Sequence, residues 1–256
     1  MRRAFERMRA RAIRVVDRFG WRARLAHMNE RFSPSRRIRR DGRDHRHFEV
    51  IVAATLAADD LAVDIGANIG TVAAMITRVA PAAKHVLVEP LPELAARLRE
   101  QFPQCEVHTV ACADHEGEAT FVRVVERPTR SGLQPGQLKA GMTTESLPVE
   151  VTTLDTLLAG RRPRLVKIDV EGAELDVLRG APATLAGARP VVLFEHQPPA
   201  GDTTTSRAIH RLLHDCRYRV YDVDGHGPLD EDAFIAAAQR GRIWNFVATP
   251  DATTPG

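Results

Sequence analysis

The stretch LAVDIGANIGTVAAMITRVAPAAKHVLVEP (61–90) decides the fold. It holds two short apolar runs, LAVDI (61–65) and HVLVEP (85–90), on either side of a segment near 69–80 with helical spacing of its apolar residues. An apolar run, a helix and a second apolar run are typical of a βαβ unit, in which a helix joins two parallel strands. The stretch therefore predicts the beginning of a parallel sheet.

The alternation of strands and helices continues along the chain. A predicted helix near 92–101 leads into CEVHTVAC (105–112), and LVKIDV (165–170), a helix near 173–179 and PVVLFEH (190–196) follow. Strands that are apolar throughout are typical of a sheet covered on both faces. The pattern predicts an α/β, Rossmann-like, doubly wound and mostly parallel sheet.

Two regions depart from this alternation. Residues 113–150 contain two further predicted strands, EATFVRVV (118–125) and LPVEVTTL (147–154), around a loop-like segment at 128–141. Near the end, YRVYDVD (218–224) and RIWNFVAT (242–249) flank a short helix near 230–239. This ending predicts an antiparallel pairing at the edge of the sheet.

The first 46 residues form a basic arm, and we assign 47–256 to the main domain. The arm carries a net charge of +11, which leaves −8 for the rest of a chain whose net charge is +3. Phe5, Met8, Ile13, Val16 and Phe19 recur at helical spacing. This pattern indicates a solvated helix packed on the domain, a basic amphipathic helix on an anionic membrane or polymer, or a transit peptide. We interpret residues 33–44, which are rich in arginine, as a linker.

Composition narrows the class of protein. The chain is 44% apolar and 27% charged, as in soluble domains with a full core. No apolar run approaches the ~18 residues of a membrane helix. Its three cysteines are scattered, so we expect no disulfide or zinc framework and a reducing, cytoplasmic setting, with peripheral contact at the inner face of the membrane left open.

Acidic residues and glycines follow the first two predicted strands. Asp64, Gly66, Asn68 and Gly70 form a turn into a helix whose free N–H groups can approach a ligand. The G-x-G-x-x-G fingerprint of dinucleotide enzymes is not met. Glu89 ends the second strand, where an acid can accept hydrogen bonds from ribose hydroxyls. The plainer alternatives are a turn that is merely shaped by glycines and a solvated carboxylate that caps the next helix.

Six blocks together resemble the FkbM family of methyltransferases. They are VDIGANIGTVA (63–73), LVEPLPE (87–93), ACADHEGEATF (111–121), TTLDTLL (152–158), LVKIDVEGAELDVLRGA (165–181) and VVLFEHQ (191–197). The resemblance implies a class I methyltransferase fold, S-adenosylmethionine as cofactor and transfer of a methyl group, typically to oxygen. It also implies that Asp64, Gly66, Asn68 and Gly70 form the cofactor loop, that Glu89 holds the ribose, and that Ala113 and Asp114 lie beside the adenine.

The later strands supply the candidate catalytic residues. A hydroxyl acceptor must lose a proton, and His196, at the end of the fifth strand, is our predicted base, with Asp169 as the second choice. In the alternative interpretation, His196 forms a hydrogen bond to the cofactor or caps the strand. Asp169, Glu171 and Glu195 form a possible metal site, but the sequence does not show whether the three side chains lie close together. We expect Lys167, inside an apolar strand, to form a structural ion pair, and Glu174 to be a charge at a helix start.

We therefore predict a methyltransferase that O-methylates a hydroxyl of a sugar, a glycolipid or another natural product. A cofactor-binding or membrane-associated accessory protein without catalysis is one alternative. A nucleic-acid methyltransferase with the arm as phosphate clamp is another, but the chain is only 5% aromatic and we expect no nucleic-acid partner. The sequence specifies neither the acceptor nor the oligomeric state.

Overall fold

The computed structural model describes residues 36–124, 132–133, 143–241 and 243–251. The described residues from Phe48 onward form one compact unit, and the described residues up to His47 belong to another. The predicted amphipathic helix of the arm lies outside the described residues. None of the described helices is long and apolar enough to cross a membrane.

The segment that we interpret as a linker is helical from Arg36 onward, which corrects that interpretation. Helix α1 spans Arg36–Thr55. Arginine is a good helix former. The chain also gains a helical i,i+4 ion pair, in which Arg40 Nε lies 2.6 Å from Asp44 Oδ1. Arginine-rich composition was therefore a poor indicator of a linker here.

In the part of the chain that the structure describes, seven strands form the main sheet, which confirms the predicted α/β class. Its order is β3-β2-β1-β7-β8-β10-β9. The strands are β1 (Ala62–Ile65), β2 (Val86–Val88), β3 (Glu106–His108), β7 (Leu165–Ile168), β8 (Val191–Glu195), β9 (Tyr218–Asp222) and β10 (Asn245–Pro250). Strand β10 pairs antiparallel with both β8 and β9, and the other pairings are parallel. The edge pairing is antiparallel as expected, although β10, which runs against the other six strands, lies one place in from the edge.

Helices cover both faces of this sheet. The helices after α1 are α2 (Thr71–Val79), α3 (Pro92–Gln101), α4 (Leu154–Leu158), α5 (Glu174–Arg179), α6 (Thr204–Asp215) and α7 (Glu231–Gln239), with a π-helical turn at Thr184–Ala188. Successive strand residues enter opposite cores: Leu193 packs with α1 and α2, whereas Phe194 packs with α4 to α7. This alternation explains why the strands are apolar throughout.

The residues that interrupt the alternation form a second sheet. The predicted strand 105–112 is in fact two strands, β3 in the main sheet and β4 (Ala111–Cys112) in a small sheet of order β4-β6-β5. The hairpin β5 (Gly117–Val124) and β6 (Thr144–Thr152) confirms the other two predicted strands. Most of the loop-like segment 128–141 lies outside the described residues, but Gly132 bridges to Val122.

Two glycines after β1 are required by packing. Gly66 has φ +77°, and a Cβ there would lie 1.8 Å from the carbonyl oxygen of Asp169. Gly70 has φ +82°, and a Cβ there would lie 2.4 Å from the ring of Phe102. The turns after β1 and β7 can therefore abut only because Gly66 has no side chain.

We expect Gly66→Ala to lower the free energy of unfolding by about 2 kcal/mol or more, because the side chain meets backbone and the residue keeps a left-handed conformation. The matched control is Gly187→Ala, because a Cβ at Gly187 would lie 3.9 Å from Arg162 Nη1, at an ordinary van der Waals distance. The control should change stability by less than about 0.5 kcal/mol. Urea unfolding measures both variants, and equal midpoints for wild type and Gly66→Ala would refute the packing argument.

Candidate functional site

Four acidic side chains lie at the carboxyl ends of adjacent strands. Asp64 is in β1, Glu89 follows β2, Asp169 follows β7 and Glu195 ends β8. In the sheet, Asp64 lies opposite Lys167, and Ile168 lies opposite Phe194. The next residues of β7 and β8, Asp169 and Glu195, therefore lie side by side at the ends of these strands. Ligands of open α/β sheets bind beyond these strand ends, which makes this edge the candidate site.

The glycine turn between β1 and α2 is tied to the end of β2. The amides of Gly66 and Ala67 donate to the carbonyl oxygen of Val88, at 2.9 and 3.0 Å. The amide of Asn68, which has φ +49°, donates to Glu89 Oε2 at 2.9 Å. Hydrogen bonds thus fix the predicted cofactor loop against the second strand.

Glu89 also fixes the entry of α3, and it is buried rather than solvated. Its Oε1 accepts a hydrogen bond from the amide of Leu91 at 3.0 Å, and only 4% of the residue is exposed. Burial raises the pKa of Glu89, and the two amides oppose that rise. Each carboxylate oxygen can accept a second hydrogen bond, so hydroxyls of a ligand can still donate to it.

Asp64 is a buried acid with an unsatisfied oxygen. The residue is 2% exposed, and within the described part of the chain its Oδ2 has no hydrogen-bond partner. Burial raises the pKa of Asp64 to about 7, Lys167 lowers it and Asp169 raises it further. Buried polar atoms are almost always paired, so this oxygen points to a ligand that donates to it.

Lys167 supplies a buried positive charge beneath these acids. Its Nζ lies 3.2 Å from Asp169 Oδ2 and donates to the carbonyl oxygen of Ile168 at 3.0 Å. The ammonium also lies 5.8 Å from the centre of the Phe48 ring. The predicted structural ion pair is present, and it holds Asp169, whose side chain remains 36% exposed.

Glu195 stands among other acids. Burial raises its pKa well above the ordinary value, Asp169 and Glu171 raise it further, and Lys167 opposes them. Its Oε1 accepts a hydrogen bond from Gln197 Nε2. A carboxyl in this position is stabilised in its charged form by any cation that binds nearby.

The turn after β7 carries Glu171 and Glu174. Glu171 has φ +52°, and Glu174 begins α5 and accepts a hydrogen bond from the amide of Gly172 at 3.0 Å. Glu174 is the predicted charge at a helix start, although it is buried. Some groups of described His, Asp and Glu residues place their possible metal-ligand atoms within 4.8 Å of one another. Asp169, Glu171 and Glu195 do not form such a group. The structure therefore does not bring these three residues together as a metal site.

His196 does not face this cluster, which corrects the expectation that it lies beside the acceptor. It is 2% exposed, its Nε2 lies 2.9 Å from Ser206 Oγ, and its ring stacks on Phe234 with centroids 5.8 Å apart. Successive residues of a strand point to opposite faces, so His196 shares the face of Phe194 and not that of Glu195. Ser206, whose hydroxyl meets this ring, is a contact that the sequence did not single out.

Ala113 and Asp114 lie beside α5 and β6. Ala113 is buried and its amide donates to the carbonyl oxygen of Thr152 at 3.0 Å. Asp114 Oδ1 lies 2.8 Å from His115 Nδ1, and this hydrogen bond lowers the pKa of Asp114. Their contacts do not join them to the four acids at the strand ends.

Comparison with known proteins gives a family match over the region that holds these residues. The methyltransferase FkbM domain matches residues 64–220. AMB antimetabolite synthetase AmbE of Pseudomonas aeruginosa is 29% identical over 188 residues, which is 58% of this chain and 9% of that protein. The chain thus spans less than a tenth of the length of this curated relative.

Two solved structures are similar in outline. Methyltransferase FkbM from Methylobacillus flagellatus is 16% identical, with a TM-score of 0.46 over 76% of this chain and 44% of that one. An O-methyltransferase from Bacillus cereus in complex with SAH is 12% identical, with a TM-score of 0.42 over 80% of this chain and 78% of that one. The domain match covers more than half of the chain and includes the glycine turn and the acids at the strand ends. The protein therefore belongs to the FkbM family of methyltransferases.

Proposed function

We propose that the chain transfers the methyl group of S-adenosylmethionine to a hydroxyl oxygen of a sugar, a glycolipid or another natural product. The observation that carries the proposal is the buried, unsatisfied Oδ2 of Asp64 beside a glycine turn that is itself bonded to Glu89. An ammonium group of the donor would satisfy that oxygen. The first-turn amides of α2 suit a carboxylate, because a helix N-terminus offers free N–H groups.

The other parts of the donor also find suitable residues. Glu89 has oxygen lone pairs for the two ribose hydroxyls, and Asn68 and Gly70 hold the turn in its left-handed conformations. We propose that Ala113 and Asp114 lie beside the adenine, as the family resemblance implies. The donor brings an activated methyl group on sulfur, so the protein must mainly align the acceptor and take its proton.

Asp169 is the residue that we propose as proton acceptor. It lies at the end of β7 with more than a third of its side chain exposed, and Lys167 holds its Oδ2 in place. His196 is buried against Phe234 and bonded to Ser206, so we assign it a structural role. Methyl transfer then needs the acceptor hydroxyl between Asp169 and the methyl group.

We expect donor binding to strengthen as pH rises through about 7. The pKa of Asp64 is raised to about 7, so its carboxylate is ionised above that pH and can pair with the donor ammonium. Asp64→Asn should weaken binding and remove this pH dependence, and Glu89→Gln should cost about 1–3 kcal/mol of binding.

Calorimetric titration of S-adenosylmethionine across this pH range makes the measurement. Asp215→Asn is the matched control, because its side chain is 80% exposed. Absence of donor binding by the wild type would refute the proposed function, and a pH dependence retained by Asp64→Asn would refute the role of Asp64.

We expect Asp169→Asn to lower kcat by about 10²–10⁴ while leaving the donor affinity within a few-fold of wild type, because a general base acts on the transition state. His196→Gln should keep most of kcat and instead lower the thermal stability, since the Ser206 contact is buried. The assay follows S-adenosylhomocysteine release over a panel of hydroxylated acceptors. A rate that falls in His196→Gln but not in Asp169→Asn, or that is lost in EDTA, would contradict the assignment.

The basic arm is our proposed contact with an anionic surface, such as a membrane that bears a lipid-linked acceptor. Each arginine near such a surface contributes about 1 kcal/mol. The full chain should sediment with anionic vesicles at low salt, and a full chain with Arg9, Arg11 and Arg14 changed to Gln should sediment less. Equal sedimentation of the two proteins would exclude these arginines as the anchor.

A further inference from the structure

A further glycine, Gly132, lies against the turn after β7. A Cβ at Gly132 would lie 3.0 Å from the carbonyl oxygen of Val170, 3.2 Å from that of Glu171 and 3.4 Å from the Cβ of Glu171. The contacts to the two oxygens are closer than the ~3.5 Å at which nonbonded heavy atoms begin to pack well. Because Gly132 has no side chain, the chain between β5 and β6 approaches this turn more closely than another residue would allow.

The small sheet fixes Gly132 in this place. The amide of Gly132 donates to the carbonyl oxygen of Val122 at 3.1 Å, and the amide of Val122 donates to the carbonyl oxygen of Gly132 at 3.0 Å. The next residue, Leu133, packs against the apolar cluster that includes Phe121 and Val149. Two hydrogen bonds and a packed side chain thus hold the backbone of Gly132 beside strand β5, so that β5 supports the contact with the turn.

The turn that Gly132 contacts carries the proposed proton acceptor. Asp169 directly precedes the two residues that Gly132 meets, and a Cβ at Gly66 would lie 1.8 Å from its carbonyl oxygen. Glu171, two residues further on, has φ +52°, so the backbone of the turn bends sharply there. Two glycines from separate parts of the chain therefore contact the turn, Gly66 at its beginning and Gly132 at its next two residues.

We propose that Gly132 is a positioning residue, which sets the place of the Asp169 carboxylate by letting the turn after β7 rest against β5. The inference rests on the proposed function, in which Asp169 takes the proton of the acceptor hydroxyl. A side chain at position 132 displaces the backbone of the turn by a few tenths of an ångström and moves Asp169 with it. Methyl transfer depends on the alignment of donor, acceptor and base, so this displacement lowers the rate.

Gly132→Ala in the full chain tests the positioning role. Its kcat with a hydroxylated acceptor of the panel should fall about threefold to tenfold, since misplacement of a reacting group by about 1 Å can cost about 10²-fold. Its affinity for S-adenosylmethionine should stay close to that of wild type, because the atoms that the new methyl group meets first belong to the turn and not to Asp64 or Glu89.

Two further variants show whether the effect belongs to this contact. Leu133→Ala loosens the support of Gly132 without adding atoms, so it should also lower kcat and leave the donor affinity unchanged. Gly187→Ala makes the same chemical change as Gly132→Ala at a place where the methyl group meets Arg162 Nη1 at 3.9 Å, and it should change neither quantity. Circular dichroism verifies that each variant is folded at the assay temperature.

A pair of cysteines tests the contact without an acceptor. The Cβ atoms of residues 132 and 171 would lie 3.4 Å apart, close to the ~3.8 Å that is usual across a disulfide. Gly132→Cys combined with Glu171→Cys should therefore form a disulfide within the chain under mild oxidation. Thiol titration and peptide mass mapping measure this bond against the three native free cysteines, and the two single-cysteine variants are the controls. The oxidised protein should keep the kcat of its reduced form, because the bond holds the turn where it already lies.

The outcomes separate this role from the proposed function. If neither Gly132→Ala nor Leu133→Ala lowers kcat, or if the donor affinity falls as far as kcat does, the positioning role is refuted while the methyltransferase proposal stands. A disulfide that does not form, or an oxidised protein that loses the activity of its reduced form, refutes the role in the same way. If the wild type binds no S-adenosylmethionine, or methylates no acceptor of the panel, the proposed function fails and the role of Gly132 fails with it.

Discussion

Lys167 places an ammonium group in the apolar interior, at the level where four parallel strands end. A buried charge is costly unless it is paired and hydrogen-bonded, and Lys167 meets this condition through Asp169 and the carbonyl oxygen of Ile168. The same charge lowers the pKa values of Asp64 and Glu195, which burial and neighbouring acids raise. The acidic edge of the sheet depends on this one cation, because without it these carboxyls would be driven further toward their neutral forms.

The backbone around this pair leaves little room for adjustment. The turn after β1 abuts the turn after β7 at Gly66, and the amide of Asp169 donates to the carbonyl oxygen of Ile65 at 3.0 Å. Glu89 then joins the glycine turn to the start of α3. Residues that are far apart in the chain are held in one place by packing and hydrogen bonds, which is the preorganisation that a transfer reaction needs.

Much of this arrangement follows from the sequence by simple rules. Parallel strands put their carboxyl ends at one edge, so acids that close successive strands had to meet there, as Asp64, Glu89 and Asp169 do. The error at His196 comes from the period-two alternation of a strand: when Glu195 faces the cluster, its neighbour must face the other core. Leu193 and Phe194 are both apolar, so the sequence does not indicate which of the two cores each of them faces.

Other features depended on contacts that local sequence does not specify. The run 105–112 reads as one strand, yet its two halves pair with different partners, Val107 with Leu87 and Ala111 with Val151. The arginine-rich segment before Phe48 resembles a linker in composition, but helix propensity and the Arg40–Asp44 pair favour a helix. In both cases pairing partners, rather than composition, decided the structure.

The acids at the described strand ends act on one another and on Lys167 through their charges. Neighbouring carboxyls stabilise a cation that lies among them. Asp169 is held in place by Lys167, whose Nζ lies 3.2 Å from its Oδ2. Glu195 lies beside Asp169 at the ends of β7 and β8, and burial and the neighbouring acids raise its pKa while Lys167 opposes that rise. The one contact between Lys167 and Asp169 thus fixes a carboxylate at the edge of the sheet where ligands of such folds bind.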